Sequence, residues 1–454
     1  AGVRWHEDPR IAGDGPLCAT PCHVAGGVGA LGVGGGGIDE SRCWGWLMQL
    51  AELTDPEQPW TRRAFSERHA QGRQWLAGRM RELGLLTSID AAGNLIGRLP
   101  GSEPLPRTIM IGSHSDTVAG GGRFDGIAGV IAGLEVAAAL QDGAARLRHT
   151  LEIVDFLAEE PNEFGLSCIG SRGMSGALDE DMLKRTNAAG VSLREGLTAV
   201  GASPAQHKAA VRGDIAAFFE LHIEQGPVLE QERRDVGIVT HIVGIRRLAV
   251  TFAGQAAHAG TTPLGLRQDA LLAAARFAID LRQQLEEVRE SQPFVIATVG
   301  EIHIAPNAPN VVPGEAKLTV DLRSDDSAAL GAWTDRIRAL AQDAAAANKV
   351  RMSECRVLSA SEPATCAPAL AAQLRAAARE LGLEQRDIVS GAGHDAAFLA
   401  RVAPAAMIFV PSRDGLSHCA QEWTAPAALG KGVAALFSAV RRFDAQSDPA
   451  SGEA

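Results

Sequence analysis

The chain has 454 residues, 46% of them hydrophobic, and carries a formal charge of −11. That length predicts two domains rather than one, and the acidity excludes the clustered Lys and Arg of a nucleic-acid or anionic-membrane surface. No apolar run reaches the roughly 18 residues that span a bilayer. The seven cysteines are scattered and odd in number, which is not a disulfide framework and fits a reducing cytoplasm. The chain contains no tyrosine.

Residues 1–37 differ from the rest and read as a disordered leader or an artefact, because so glycine-rich a composition cannot offset the entropy of ordering. They hold two decoys. Gly27-Val28-Gly29-Ala30-Leu31-Gly32 matches a dinucleotide glycine pattern, but no strand precedes it and no helix follows. Cys18, Cys22 and His23 resemble half of a zinc site with no second half. Helices are predicted over 41–53 and 66–83, with Gly84 capping the second, and paired strands over 87–90 and 95–99.

Ile109-Met110-Ile111 then runs into Gly112-Ser113-His114-Ser115-Asp116, a glycine-rich turn at 120–122, and Asp125 before an apolar helix over 127–140. A strand feeding a polar loop and then a helix is the usual place for chemistry in open α/β sheets. His114 and Asp125 are candidate metal ligands and Asp116 a candidate orienter of His114. The stretch alone also reads as a packed histidine with turn aspartates. The strand over 151–157 ends in Glu159-Glu160, a pair that repulsion and desolvation penalise in a pocket unless a cation offsets them. A solvated acidic loop is the other reading. Residues 176–214 are polar and carry no motif. A third apolar strand, 218–221, ends in His222-Ile223-Glu224-Gln225-Gly226-Pro227.

From Gly244 the rhythm changes to strand (247–252), helix (269–288), strand (294–299), strand (316–322), helix (326–347) and strand (350–358). This β-α-β-β-α-β order is a ferredoxin-like α+β plan, inserted over 244–355. A helix over 368–381 follows, then Gly391-Ala392-Gly393-His394-Asp395-Ala396, a strand over 406–410 leading to His418, and a closing helix over 427–442. The tail, 446–454, is expected to be disordered.

Four strand ends thus deliver a metal-competent side chain: His114 with Asp125, Glu160, His222 and His418. Mixed imidazole and carboxylate donors suit Zn, Mn, Co or Ni. Five ligands exceed one open catalytic zinc and fit two divalent ions sharing a carboxylate. Glu159, beside a ligand and not needed as one, is then a natural general base.

These words together resemble the amidase, hydantoinase and carbamoylase branch of the metal-dependent aminoacylase and carboxypeptidase superfamily, from about Ile38 to Phe443. The resemblance rests on Gly112–Thr117, Gly121–Gly126, Glu159-Glu160, His222–Pro227, His258-Ala259-Gly260-Thr261-Thr262-Pro263, Pro309–Gly314, Gly391–Ala396 and Ser417-His418. It implies a di-metal aminopeptidase-like α/β catalytic domain over 38–243 and 356–445, with the 244–355 insert as lid and homodimer contact. It implies that Asp125 bridges two metals, that His114 and His222 complete one site and Glu160 and His418 the other. Glu159 would be the base, and Asp116 would fix the His114 tautomer. Gln225, His258, Asn310, Arg323 and His394 would face the substrate, some of them across the dimer.

Four of these five keep a structural alternative: loop bracing for Gln225, packing by the Thr-Thr-Pro turn for His258, an ion pair with Asp321 or Asp325 for Arg323, and support of Asp395 for His394. His69, His149, His207, His241 and His303 read as structural or solvated. The sequence departs from the family at Cys419-Ala420, where proline is common at the second position, and at Leu264, where methionine is frequent.

The implied activity is hydrolysis of a non-peptide C–N bond by a metal-bridged hydroxide. The implied substrate is a small carboxylate-bearing ureido compound of the N-carbamoyl-L-amino-acid, allantoate or β-ureidopropionate type. The alternatives are an N-acyl-amino-acid aminoacylase or exopeptidase, and a non-catalytic metal-dependent binding protein.

Overall fold

The computed structural model describes residues 37–105, 107–289 and 293–446. The glycine and Cys18–Cys22–His23 patterns of the leader lie outside them, as do the disorder expected of residues 1–36 and of the tail from 447.

The strands, in chain order, are β1 Leu86–Ile89, β2 Leu95–Leu99, β3 Thr108–His114, β4 Thr150–Phe156, β5 Ile215–Ile223, β6 Val236–Ile242, β7 Gly244–Ala253, β8 Ala257–His258, β9 Val295–Ala305, β10 Val311–Val312, β11 Glu315–Ser324, β12 Arg351–Ser361, β13 Ala364–Thr365, β14 Gln385–Ser390 and β15 Ala405–Val410. The larger sheet runs β1-β2-β4-β3-β5-β15-β6-β13, with β14 also paired to β6. Its centre, β4-β3-β5-β15, is parallel throughout. These strands are buried on both faces and are apolar at most positions, as parallel strands must be. Because they point the same way, their carboxyl ends emerge along one edge. Since β3 has β4 on one side and β5 on the other, that edge contains a crevice of the kind in which α/β sheets bind ligands.

Helix Ile127–Asp142 packs on this sheet and is apolar nearly all round, so it shows no amphipathic stripe. Its one buried carboxylate, Glu135, is held by the guanidinium of Arg42. Helices Glu40–Ala51, Pro368–Glu380 and Pro426–Ala445 complete that layer. Asp39 and Ser66 cap their helices by accepting from Arg42 N–H and His69 N–H.

A second, antiparallel sheet has the order β12-β7-β11-β9. Along β11, Ala316, Leu318, Val320 and Leu322 turn to helices Ala270–Val288 and Ser327–Ala347, while Lys317, Thr319, Asp321 and Arg323 line the open face. The short pair β8–β10 sets His258 opposite Val311.

Two features depart from the sequence reading. Strands β6 and β14 join the larger sheet, where no strand was expected. And β5 runs to Ile223, so His222 belongs to the strand rather than to the loop after it; its pairing with Phe409 of β15 keeps the backbone extended there. Among the described residues no helix is long and apolar enough to cross a membrane.

Candidate metal centre

His114 is the last residue of β3 and lies almost fully buried. Its Nδ1 sits 3.0 Å from the main-chain carbonyl of Asp116. A carbonyl can only accept, so Nδ1 carries the proton and Nε2 is left with its lone pair. His222 repeats this arrangement, its Nδ1 donating to the Ile223 carbonyl at 2.9 Å. Both Nε2 atoms point toward Asp125, at 3.9 Å for His114 and 3.0 Å for His222.

Asp125 stands between two groups of donors. Its Oδ1 faces the two strand histidines, and its Oδ2 is 2.9 Å from Nε2 of His418, which in turn is 3.4 Å from Glu160 Oε1. His114–Asp125–His222 and Asp125–Glu160–His418 each bring three donor atoms within 4.8 Å of one another, and they share Asp125. A third grouping, Glu220–His222–His394, reuses His222. An imidazole lone pair and a carboxylate oxygen approach to 3 Å only with a cation between them, either a proton or a metal ion.

Two local observations test whether a metal fits. Oε1 of Glu160 is buried without a hydrogen-bond partner, an expensive condition for a carboxylate oxygen unless a cation meets it. The donor set is the second: two imidazole Nε2 atoms, a third imidazole and two carboxylates converge as two groups that share Asp125, a mixture suited to a divalent ion. The residues fit metal. Protons partly take its place electrostatically. Burial, reinforced by the Asp125 charge, pushes Glu160 up to about 7. His418 is held up to about 9, first by its hydrogen bond to Asp125. Burial lowers His114, yet the Asp116, Glu159 and Asp125 carboxylates outweigh it and the net shift is upward.

Glu159 follows β4 on a turn in which Ala158 has φ 55°. Its Oε2 is 3.8 Å from His114 Nε2 and its Oε1 accepts from the Cys168 thiol at 3.3 Å. Burial raises its pKa well above the carboxylate range, and the Glu160 and Asp395 charges add to that against the opposing pull of His114. A carboxyl so placed can take and return a proton. The Asp116 carboxylate, 3.6 Å from His114 Nδ1, accepts the main-chain N–H of Glu159 and of Glu160, both at 3.2 Å. It therefore ties the glutamate loop to β3, while its own carbonyl orients the imidazole.

The other predicted residues separate. Gln225, at φ 58°, donates to Asp125 Oδ2 at 2.9 Å and to Ser417 Oγ at 3.3 Å, inside the cluster. His394 is buried against His222, ring centroids 4.5 Å apart, and its Nε2 meets Ser390 Oγ at 2.8 Å; Asp395 is held by Ser171 instead. The hydrogen bonds of His258 stay in its own turn, Nδ1 accepting from Gly260 and Thr261. The Asn310 carbonyl accepts from Ala259 N–H beside it. Arg323 forms an ion pair with Asp321 and donates to the Gly391 carbonyl, both at 2.7 Å. This contact joins the second sheet to the loop carrying His394.

Several polar groups around the cluster had no mark in the sequence. Glu220, buried on β5, accepts from Ser113 Oγ and from Ala396 N–H. Cys168 reaches Glu159. Glu422 accepts from Phe124 and Asp125 N–H and from Ser417 Oγ.

The model of peptidase family M20/M25/M40 matches residues 110–442. The chain belongs to this family. Within it the chain falls in the hydantoinase/carbamoylase amidase branch. It is 40% identical over 387 residues to an N-carbamoyl-L-amino-acid amidohydrolase of Paenarthrobacter aurescens, covering 85% of this chain and 93% of that one. It is 36% identical over 392 residues to an allantoate amidohydrolase of Bacillus subtilis, covering 86% and 94%. A crystal structure of a hydantoinase/carbamoylase family amidase from Burkholderia multivorans superposes with a TM-score of 0.83 at 36% identity, covering 90% and 98%. The strand-end donors and the adjacent Glu159 thus occur in an M20-family amidase framework.

Proposed function

We propose that this M20-family chain is a metal-dependent amidohydrolase that cleaves the C–N bond of a small, carboxylate-bearing ureido substrate. The observation that carries the reading is the pair of three-donor clusters sharing Asp125, with Glu159 beside them and not needed as a donor. The amidohydrolase relatives, which act on N-carbamoyl amino acids and allantoate, support the ureido class.

His114, Asp125 and His222 would hold one divalent ion, and Asp125, Glu160 and His418 a second. Two such ions, when bound, acidify water and polarise a carbonyl. The chain's own part is positional and protonic. The Asp116 and Ile223 carbonyls fix both strand imidazoles with Nε2 toward the cluster. Glu159 takes a proton from the attacking water and returns it to the leaving nitrogen. With an N-carbamoyl substrate, one water is consumed, and the amino acid, ammonia and carbon dioxide are released.

Arg323, His258 and Asn310 are assigned to the substrate carboxylate as the 244–355 insert closes as a lid, with Gln225 and His394 at the ureido end. A guanidinium fork matches a carboxylate, and the contact of Arg323 with the Gly391 carbonyl, in the loop that carries His394, supports this assignment. The insert is also assigned as a homodimer contact. Exposed Leu271, Leu272 and Ile279 on one helix, and Ile302 on the same side of the edge strand β9, support that assignment. Free Cys43, Cys168, Cys355, Cys366 and Cys419 support a cytoplasmic setting.

The test is ammonia release from N-carbamoyl-L-amino acids, allantoate and β-ureidopropionate, with release of free amino acid from N-acetyl amino acids and dipeptides followed as controls. Each is run after loading with Zn, Mn, Co or Ni. Turnover of a ureido compound supports the reading. Turnover confined to the acyl or peptide controls would make the chain an aminoacylase or exopeptidase.

A further inference from the structure

Of the donors around Asp125, His418 is the least supported. Its side chain is 48% exposed, whereas His114 and His222 are buried in strands. Its backbone, at φ 56°, lies in the left-handed region. Something other than burial must hold this imidazole 2.9 Å from Asp125.

Glu422 occupies the place from which that can be done. It is 1% exposed. Its Oε1 accepts the main-chain N–H of Phe124 at 2.8 Å and of Asp125 at 3.2 Å, and its Oε2 accepts from Ser417 Oγ at 2.8 Å. Its own N–H donates to the Cys419 carbonyl, so the turn after His418 closes on itself. The glycine-rich loop crosses directly over the carboxylate: a Cβ on Gly122, which sits at φ 109°, would lie 2.2 Å from Glu422 Oε1. The neighbouring Trp423 ring packs edge-on against Phe124 and lies under the Arg123 guanidinium.

We propose that Glu422 is a positioning residue for the metal pair: one carboxylate fixes both the Asp125 loop and the Ser417–His418 turn, and so sets the distance between the shared carboxylate and its most exposed partner. Both Glu422 oxygens are occupied by N–H and O–H donors, so it positions and does not ligate. A closed path, Asp125 to Glu422 to Ser417 to His418, joins the two loops through a buried carboxylate, alongside the Gln225 side chain that donates to both Asp125 and Ser417. The proposal rests on the two-ion reading of the site.

The test compares Glu422→Gln, Glu422→Leu and Ser417→Ala with the parent, each loaded with Zn. Metal per chain is measured by mass spectrometry, with unfolding temperature, kcat and KM for ammonia release. The glutamine oxygen still accepts from Phe124 and Asp125, so Glu422→Gln should keep both ions and a kcat within about tenfold. Glu422→Leu should retain one ion, with KM within about threefold and kcat at least roughly 100-fold lower. Ser417→Ala breaks the link from Glu422 to the His418 turn, together with the longer 3.3 Å bond from Gln225. It should weaken the more labile ion by roughly 10–100-fold, the usual effect of losing a ligand's support, at an unchanged unfolding temperature. If Glu422→Leu does not fold, Ser417→Ala decides the matter. Leucine or alanine variants that hold both ions with parental affinity and kcat overturn the proposal. A parent that takes up fewer than two ions overturns the two-ion reading, and the proposal with it.

Discussion

Replacing Gly126 with alanine should disable the metal centre far more than the fold. Gly126 has φ 67° and ψ −47°, a combination outside the wells open to L-residues. Forcing alanine into it costs on the order of 1–3 kcal/mol. The larger effect is steric. The new Cβ would lie 2.3 Å from Nε2 and 2.4 Å from both Cδ2 and Cε1 of His114, more than an ångström inside ordinary contact. The ring cannot retreat in place, since it is buried and its Nδ1 is tied to the Asp116 carbonyl. It must rotate and carry Nε2 away from Asp125. A three-donor set then loses a donor, which should weaken metal by at least the roughly 10–100-fold that a lost supporting hydrogen bond costs. The assay pairs a chelator-competition titration with urea unfolding of the metal-free protein. The expected result is a modest drop in metal-free stability beside a disproportionate loss of metal and turnover. Parental metal affinity and kcat in Gly126→Ala would refute the argument that this backbone position shapes the site.

Glu159→Gln should retain both ions and KM while kcat falls by roughly 10²–10⁴, the range for a lost general base; most activity surviving with metal bound would remove Glu159 from that role. Arg323→Ala should raise KM for carboxylate-bearing substrates by roughly 10–100-fold, matching about 1.5–3 kcal/mol for charged hydrogen bonds. Kinetics on the corresponding amide-capped substrates should not change, and an equal effect on both would reduce Arg323 to its ion pair with Asp321. The pH dependence has a definite sign. Without metal, His418 titrates near 9 against an ordinary 6.5, so its contribution to stability is whole below 6.5 and is lost as pH rises through about 9. Glu160 titrates near 7 against 4.5, so ionisation in the unfolded chain erodes stability from 4.5 to about 7. Metal must displace these protons. The rise in unfolding temperature on metal loading should therefore grow from pH 6 to pH 9, and calorimetric proton release should shrink. A constant rise across that range would contradict these assignments.

Much of this site could be read from the chain because its grammar is local. An apolar run ending in a histidine or an acidic pair is visible over a few residues, and parallel strands carry their carboxyl ends to one edge. His114, Glu160, His222 and His418 were picked out by this pattern, and the structure brings them around Asp125. What was not legible depends on partners far along the chain. Glu422 meets Phe124 across 298 residues, and nothing near it marks a buried loop glutamate. Asp116 reads from the sequence as an orienter of His114, but the sequence does not show that its carbonyl faces the imidazole while its carboxylate holds the glutamate loop. Strand β14, Gln385–Ser390, is too polar to show a strand pattern and gains its conformation from pairing with β6. The ion pair of Arg323 was foreseen, while its contact with Gly391 was not.

The most direct measurement is a metal titration of the chelator-stripped protein, with ammonia release from an N-carbamoyl-L-amino acid followed at each step. Two donor clusters that share Asp125 predict that turnover requires two equivalents per chain. They also predict that Glu160→Gln saturates at one equivalent without recovering activity. Full turnover at one equivalent, or in the stripped protein, would contradict the account.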